Sequence, residues 1–179
     1  MFNRCRFLKL TGAAVLAAFL PSAVKATTGR GRGPFRFCLN TSTIDGQKQG
    51  LLRSLEVAAV AGYDGVELWV NDIRDYIKQG NTVDALAKVI TGRGLAVENA
   101  ISFTTWMVSD PAQRKEGLRE MEEEMKILAA LGCRRIAAPP SGVDRDHPVD
   151  FVQAGRYYRE ILELGRKYGV MPQLEFWGA

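Results

Sequence analysis

The sequence has 179 residues, 46% of them hydrophobic, with 24 basic and 20 acidic side chains and one histidine, enough for one globular domain with a real core. The net charge of +4 sits ahead of that domain: Arg4, Arg6, Lys9 and Lys25 fall in the first 26 residues without an acid, leaving 20 basic against 20 acidic residues beyond them. A neutral domain lacks the concentrated basic face that a phosphate-backbone binder needs, so no nucleic-acid partner is expected.

Residues 1–26 combine a basic start, an apolar run from Leu10 to Leu20, and the small-residue exit Val24-Lys-Ala26. That is the layout of an export signal, and the run is too short to span a bilayer comfortably. Asn3-Arg-Cys-Arg-Phe-Leu-Lys9 resembles a twin-arginine signal with Cys5 where the second arginine would stand. The expected protein is therefore exported, periplasmic or secreted, with no stable membrane anchor once the signal is removed. Residues 27–34 contain the glycine-arginine run Gly29 to Gly33 and read as a linker. The domain is then 35–179. Cys38 and Cys133 lie in apolar contexts without metal-like spacing and read as packed thiols, with a disulfide as the alternative.

Within the domain, Phe35-Arg-Phe-Cys-Leu-Asn40 alternates and reads as a first strand. Leu51, Leu52, Leu55, Ala58 and Ala59 recur at helical spacing, with Gly62 where that helix would end. Gly65-Val-Glu-Leu-Trp-Val70 reads as a second strand, 71–80 as a polar loop containing Tyr76, and the next stretch as a helix capped by Thr82, with Val83, Leu86, Ala87 and Ile90 on its apolar face. Leu95-Ala-Val-Glu-Asn-Ala-Ile-Ser102 gives a third strand. The spacing of Leu118, Met121, Met125, Leu128 and Leu131 predicts a long helix over 111–131 that begins on Pro111. Glu122-Glu-Glu124 is read as its solvated face. Arg135-Ile-Ala-Ala-Pro-Pro140 is a fourth strand stopped by two prolines. A fourth helix over 150–168 is expected to turn Phe151, Tyr158, Ile161, Leu162 and Gly165 inward. Met171-Pro-Gln-Leu-Glu-Phe-Trp-Gly178 is the fifth strand, with a lone carboxylate, Glu175, near its end.

Gly62, Gly94, Gly132 and Gly169 each follow an amphipathic helix and precede a β-rich run, at separations of 32, 38 and 37 residues. This is about one strand-loop-helix unit per interval. Repeated units of that kind build a parallel sheet with right-handed crossovers. A doubly wound sheet suits the length, but Leu39-Asn-Thr-Ser-Thr-Ile44 lacks the glycine-rich phosphate turn such a fold usually carries. An eight-fold βα barrel needs about 250 residues, against roughly 150 here.

Gly62-Tyr-Asp-Gly-Val-Glu-Leu68, Gly132-Cys-Arg-Arg-Ile-Ala-Ala-Pro-Pro-Ser-Gly142 and Leu174-Glu-Phe176 together resemble the sugar phosphate isomerase/epimerase superfamily. This xylose isomerase-like barrel group also holds ketose epimerases, inosose dehydratases and apurinic endonucleases of the second type. The resemblance covers 35–179 and implies an α/β fold, an incomplete (β/α)8 TIM barrel of about five parallel strands and four helices. It further implies a divalent metal, Mn²⁺, Mg²⁺ or similar, held by four strand-tip ligands, of which Glu175 matches the first. Glu175 also resembles one of the two acid-base carboxylates of the epimerase branch. The positions matching the other three ligands, an Asp, a His and a Glu, are not in this sequence, so little or no turnover is expected of the chain by itself.

The activity implied is metal-assisted proton transfer next to a carbonyl. Export favours a free sugar, keto-sugar or cyclitol over a phosphorylated one. Glu67, Trp69 and Trp106 are the substrate-binding candidates: Glu67 at a strand end as a substrate-facing acid or a structural ion-pair partner, the tryptophans as walls for a sugar ring or as rim packing. Asn40 and Ser102 end strands and offer hydrogen bonds. Pro139-Pro-Ser-Gly142 is expected to shape the pocket rim. His147 reads as a solvated loop residue. The second reading is a non-catalytic sugar-binding or assembly half that closes its barrel with a homo-oligomer mate or a complementing chain. An apurinic endonuclease-like activity is a third, disfavoured by the neutral domain and single histidine.

Overall fold

Five short strands carry the architecture: β1 (Cys38–Asn40), β2 (Gly65–Trp69), β3 (Ala96–Ile101), β4 (Arg135–Ala138) and β5 (Met171–Leu174). They come from a computed structural model that describes residues 34–144 and 146–176. The expected export signal at 1–26, linker residues 27–33, Arg145 and Trp177 lie outside the described residues. All strand pairs are parallel and lie in the order β1-β2-β3-β4-β5. A sheet that adds each strand beside the last, always through a right-handed crossover, places every helix on the same face. A doubly wound sheet must reverse its order midway. The strand order therefore rejects that alternative and gives an incomplete (β/α)8 barrel.

The helices are α1 (Gly50–Val60), α2 (Val70–Lys78), α3 (Val83–Gly92), α4 (Pro111–Ala130) and α5 (Phe151–Tyr168), with a 3-10 segment at Thr41–Gln47. Thr82, Asp110 and Asp150 cap α3, α4 and α5 by accepting from backbone N–H groups of the first turn, which satisfies donors that have no partner within the helix. None of the described helices is long and apolar enough to cross a membrane.

Residues 71–78 of the expected loop are helical, and only 79–80 form a turn. Val70, Ile73 and Tyr76 are buried and Ile77 is packed against the core, a spacing of 3, 3 and 1 that lines one helical face. Because α2 starts directly after Trp69, no glycine or turn separates it from the strand. At α5 the inward stripe is Tyr157, Ile161 and Gly165. Phe151, by contrast, is 84% exposed, since it is the first helical residue, before the helix has settled on its neighbours.

Side chains alternate across the sheet. Val66, Leu68, Val97, Ala100, Ile136, Ala138 and Pro172 are buried, and with Leu55, Leu86, Met125, Leu128 and Ile161 the apolar ones form the core. Each fully buried Leu, Ile or Met contributes about 1.5–3 kcal/mol. The other face, the inside of the barrel, carries Cys38, Asn40, Glu67, Trp69, Asn99, Arg135 and Gln173, none of them fully buried. Gly165 brings α5 against β5: a Cβ there would meet Val170 O and Pro172 Cδ, both at 2.5 Å. Cys38 and Cys133 are both free thiols, Cys133 buried as expected and Cys38 exposed, because β1 is an edge strand with Cys38 on the inner face.

Candidate active site at the strand tips

In a parallel barrel the carboxyl ends of the strands are the open end, where the following loops converge. Glu67 stands toward that end on β2, between β1 and β3. Its carboxylate accepts hydrogen bonds from Asn40 Nδ2 at 2.6 Å and from Asn99 Nδ2 at 2.8 Å, and its backbone oxygen accepts from Thr41 Oγ1 at 3.3 Å. One acid therefore ties together the tips of β1, β2 and β3. Asn40 is itself fixed: its Oδ1 accepts from Ser42 N at 2.9 Å, Ser42 Oγ at 2.8 Å and Trp69 Nε1 at 3.3 Å. A carboxylate held by two amide donors is an acceptor in a set position, with lone pairs left for a ligand hydroxyl.

Asn99 reaches Glu67 because of an irregularity that sequence pattern does not reveal. The register of β2 against β3 runs Val66↔Val97 and then Glu67↔Asn99, skipping Glu98. This bulge turns two neighbours inward instead of one. Glu98 ion-pairs with Arg36 at 2.8 Å and Arg135 at 3.3 Å, one layer nearer the amino ends of the strands. Cys38 lies on this inner face, and burial followed by the charges of Glu67 and Glu98 pushes its thiol up to about 11.

The two tryptophans expected to bind substrate occupy different surroundings. Trp69 is half-buried and its ring meets Phe103 at 5.2 Å, tilted by 38°, so it lines the open end beside Glu67. Trp106 is 2% exposed. Its Nε1 donates to Pro139 O at 2.7 Å and its ring packs 5.8 Å from Tyr158, which spends its surface on joining the loop after β3 to the tip of β4. His147 is exposed, with Nδ1 2.7 Å from Asp144 Oδ2, in the loop after β4.

Glu175 follows β5 directly. Its Oε2 is buried and makes no hydrogen bond among the described residues, a condition that buried carboxylates rarely keep. An oxygen of that kind fits one ligand to a hard cation. A complete centre is another matter: no group of three or more His, Cys, Asp or Glu side chains suited to a metal ion forms among the described residues. The donor set fits a single contribution, from Glu175.

Sequence pattern also missed Glu124. Read as part of a solvated face, it is 2% exposed, because it falls on the same helical stripe as Gly117, Met121, Met125 and Leu128. Ser102 Oγ donates to its Oε2 at 2.5 Å and Arg74 pairs with its Oε1 at 3.1 Å. Burial raises the Glu124 carboxyl above the ordinary range, against the opposing pull of Ser102 and Arg74. The spacing 117, 121, 124, 125, 128 was the available signal; charge type overrode it.

A family model described as xylose isomerase-like TIM barrel matches residues 55–178. Among solved structures, the IolI protein with a bound zinc atom is similar at 20% identity and a TM-score of 0.67, covering 79% of this chain and 51% of that one. D-Psicose 3-epimerase with D-tagatose from Clostridium cellulolyticum H10 is similar at 17% identity and a TM-score of 0.63, over 78% and 52%. 3-Keto-D-glucoside 4-epimerase from E. coli follows at 17% and 0.57, over 70% and 51%. No curated protein matches the chain by sequence. The chain spans about half the length of these structures.

Proposed function

The chain belongs to the xylose isomerase-like TIM barrel family, and from that membership we propose that its strand-tip face is part of a site for metal-assisted proton transfer next to the carbonyl of a sugar or cyclitol. The observation that carries this reading is the buried Oε2 of Glu175 after β5, which has no hydrogen-bond partner among the described residues. Glu175 is proposed as a ligand to a divalent ion such as Mn²⁺ or Mg²⁺ and as one carboxylate of an acid-base pair. When bound, the ion would polarise the substrate carbonyl and stabilise negative charge on its oxygen.

The chain's own residues would divide the rest of the work. Glu67, fixed by Asn40 and Asn99, accepts a hydrogen bond from a substrate hydroxyl. Trp69, backed by Phe103, offers an aromatic face to the apolar C–H side of the ring. Glu175 takes a proton from the carbon beside the carbonyl and returns it to the same carbon. One carboxylate works from one face, so it supports exchange of that proton with solvent without inverting the centre.

The test is incubation of the purified protein with Mn²⁺ and a panel of ketoses and cyclitol ketones in D₂O, following the α-hydrogen by NMR. Slow exchange without epimerisation, lost in Glu175→Gln, supports the reading. Rapid epimerisation would reject the need for a second carboxylate.

The exposure of Cys38, Arg135 and Gln173 on the inner face of the sheet favours a second reading, a sugar-binding or assembly half without catalysis, exported and closed by a like or complementing chain. Sugar binding with no exchange, accompanied by concentration-dependent association, is the outcome that selects it.

A further inference from the structure

The buried acid on α4 is placed to act on the strand-tip site through one residue. Glu124 Oε2 accepts from Ser102 Oγ at 2.5 Å, and Ser102 is the first residue after β3. Ser102 Oγ in turn accepts from Thr104 N at 3.3 Å. The hydroxyl therefore brackets Phe103, and the ring of Phe103 meets Trp69 at 5.2 Å. On its other side Glu124 pairs with Arg74 of α2 at 3.1 Å, and α2 grows directly out of Trp69 at the end of β2. The two aromatic residues of the wall thus stem from segments that converge on one carboxylate. Ser102 and Glu124 are both 2% exposed, so water does not compete for these bonds.

We infer that Glu124 is a positioning residue for the aromatic wall of the strand-tip site, holding Phe103 against Trp69 through Ser102 and anchoring α2 through Arg74. It touches no ligand. An apolar residue would fill the same place between α4 and the sheet at less desolvation cost, so a merely structural requirement does not call for an acid here. The role of the wall in sugar binding rests on the function proposed above; the placement of the two rings does not.

The experiment reads the rings directly. Near-UV circular dichroism of each variant, minus that of the same variant carrying Trp69→Phe, isolates the Trp69 band. In Ser102→Ala and Glu124→Ala this band is expected to fall by roughly half or more, because a tilted ring pair loses its fixed geometry. Glu124→Gln, whose amide oxygen still accepts from Ser102, is expected to restore most of it. Leu86→Ala, a core truncation on α3, lowers the unfolding temperature at least as much and leaves the band unchanged. Ser102→Ala and Glu124→Ala proteins that are less stable yet keep the wild-type Trp69 band would overturn the inference. With D-tagatose as probe, the wild type binds and Ser102→Ala binds about tenfold more weakly. A wild type that does not bind D-tagatose counts against the sugar reading alone, and the Trp69 band then decides the positioning role.

Discussion

Asn40 Nδ2 donates to Glu67 Oε2 across 2.6 Å, so the tips of β1 and β2 are joined by side chains where their backbone pairing ends at Asn40↔Glu67. With Asn99 on the second oxygen, the carboxylate is a three-strand joint as well as a candidate ligand contact.

Asn40→Ala and Asn99→Ala should each lower stability by about 1.5–3 kcal/mol, the range for a hydrogen bond to a charged group. The double variant should lose less than the sum, because both amides serve one carboxylate. Urea unfolding of the four proteins measures the coupling; strict additivity would show that the joint does not act as a unit.

Gly165→Ala should destabilise by about 1–3 kcal/mol through overpacking, since the new Cβ would meet Val170 O and Pro172 Cδ at 2.5 Å. Thermal unfolding reads the loss. Gly155→Ala in the same helix, with nothing within 4 Å of its Cβ, is the control and should be neutral or slightly stabilising.

Hydrogen bonds from Lys167 and Tyr168 hold the Glu122 carboxyl down to about 2. A depressed folded-state value means that this contribution is complete above the ordinary glutamate range and fades as pH falls from there toward 2. Between pH 5 and pH 3, Glu122→Gln should therefore lose less of its unfolding temperature than the wild type does. Parallel slopes for the two proteins would contradict the assignment.

Cys38 is exposed, yet its thiol is pushed up to about 11. At pH 8 its thiolate fraction is roughly a hundredfold below that of an unperturbed cysteine, so thiol-disulfide reagents should label the folded protein slowly. Glu67→Gln removes one of the charges responsible and should speed the labelling. Labelling at the rate of a free cysteine would contradict the placement of Cys38 between burial and two acids.

Much of the fold was legible because glycines at Gly62, Gly94, Gly132 and Gly169 end helices or follow them in the left-handed conformation, with φ between 70° and 81°. Their periodic recurrence marks the βα unit directly. The helix α2 was hidden because Asn71, Asp72, Arg74 and Asp75 dilute its apolar face and no turn precedes it. Glu67 and Trp69 were visible as strand-end residues. Asn99 was not, since its inward aim depends on a bulge, a property of strand pairing rather than of either strand. Glu124 was misread because its charge masked a position on the same helical stripe as Met121 and Leu128.

The central claim is that Glu175 contributes a ligand to a divalent ion at the sugar site. An electron paramagnetic resonance titration of Mn²⁺, with and without D-tagatose, on the wild type and Glu175→Gln tests it most directly. The account predicts weak Mn²⁺ binding that tightens with the sugar and is at least about tenfold weaker in Glu175→Gln, as loss of a charged ligand requires. Superimposable titrations of the two proteins would contradict it.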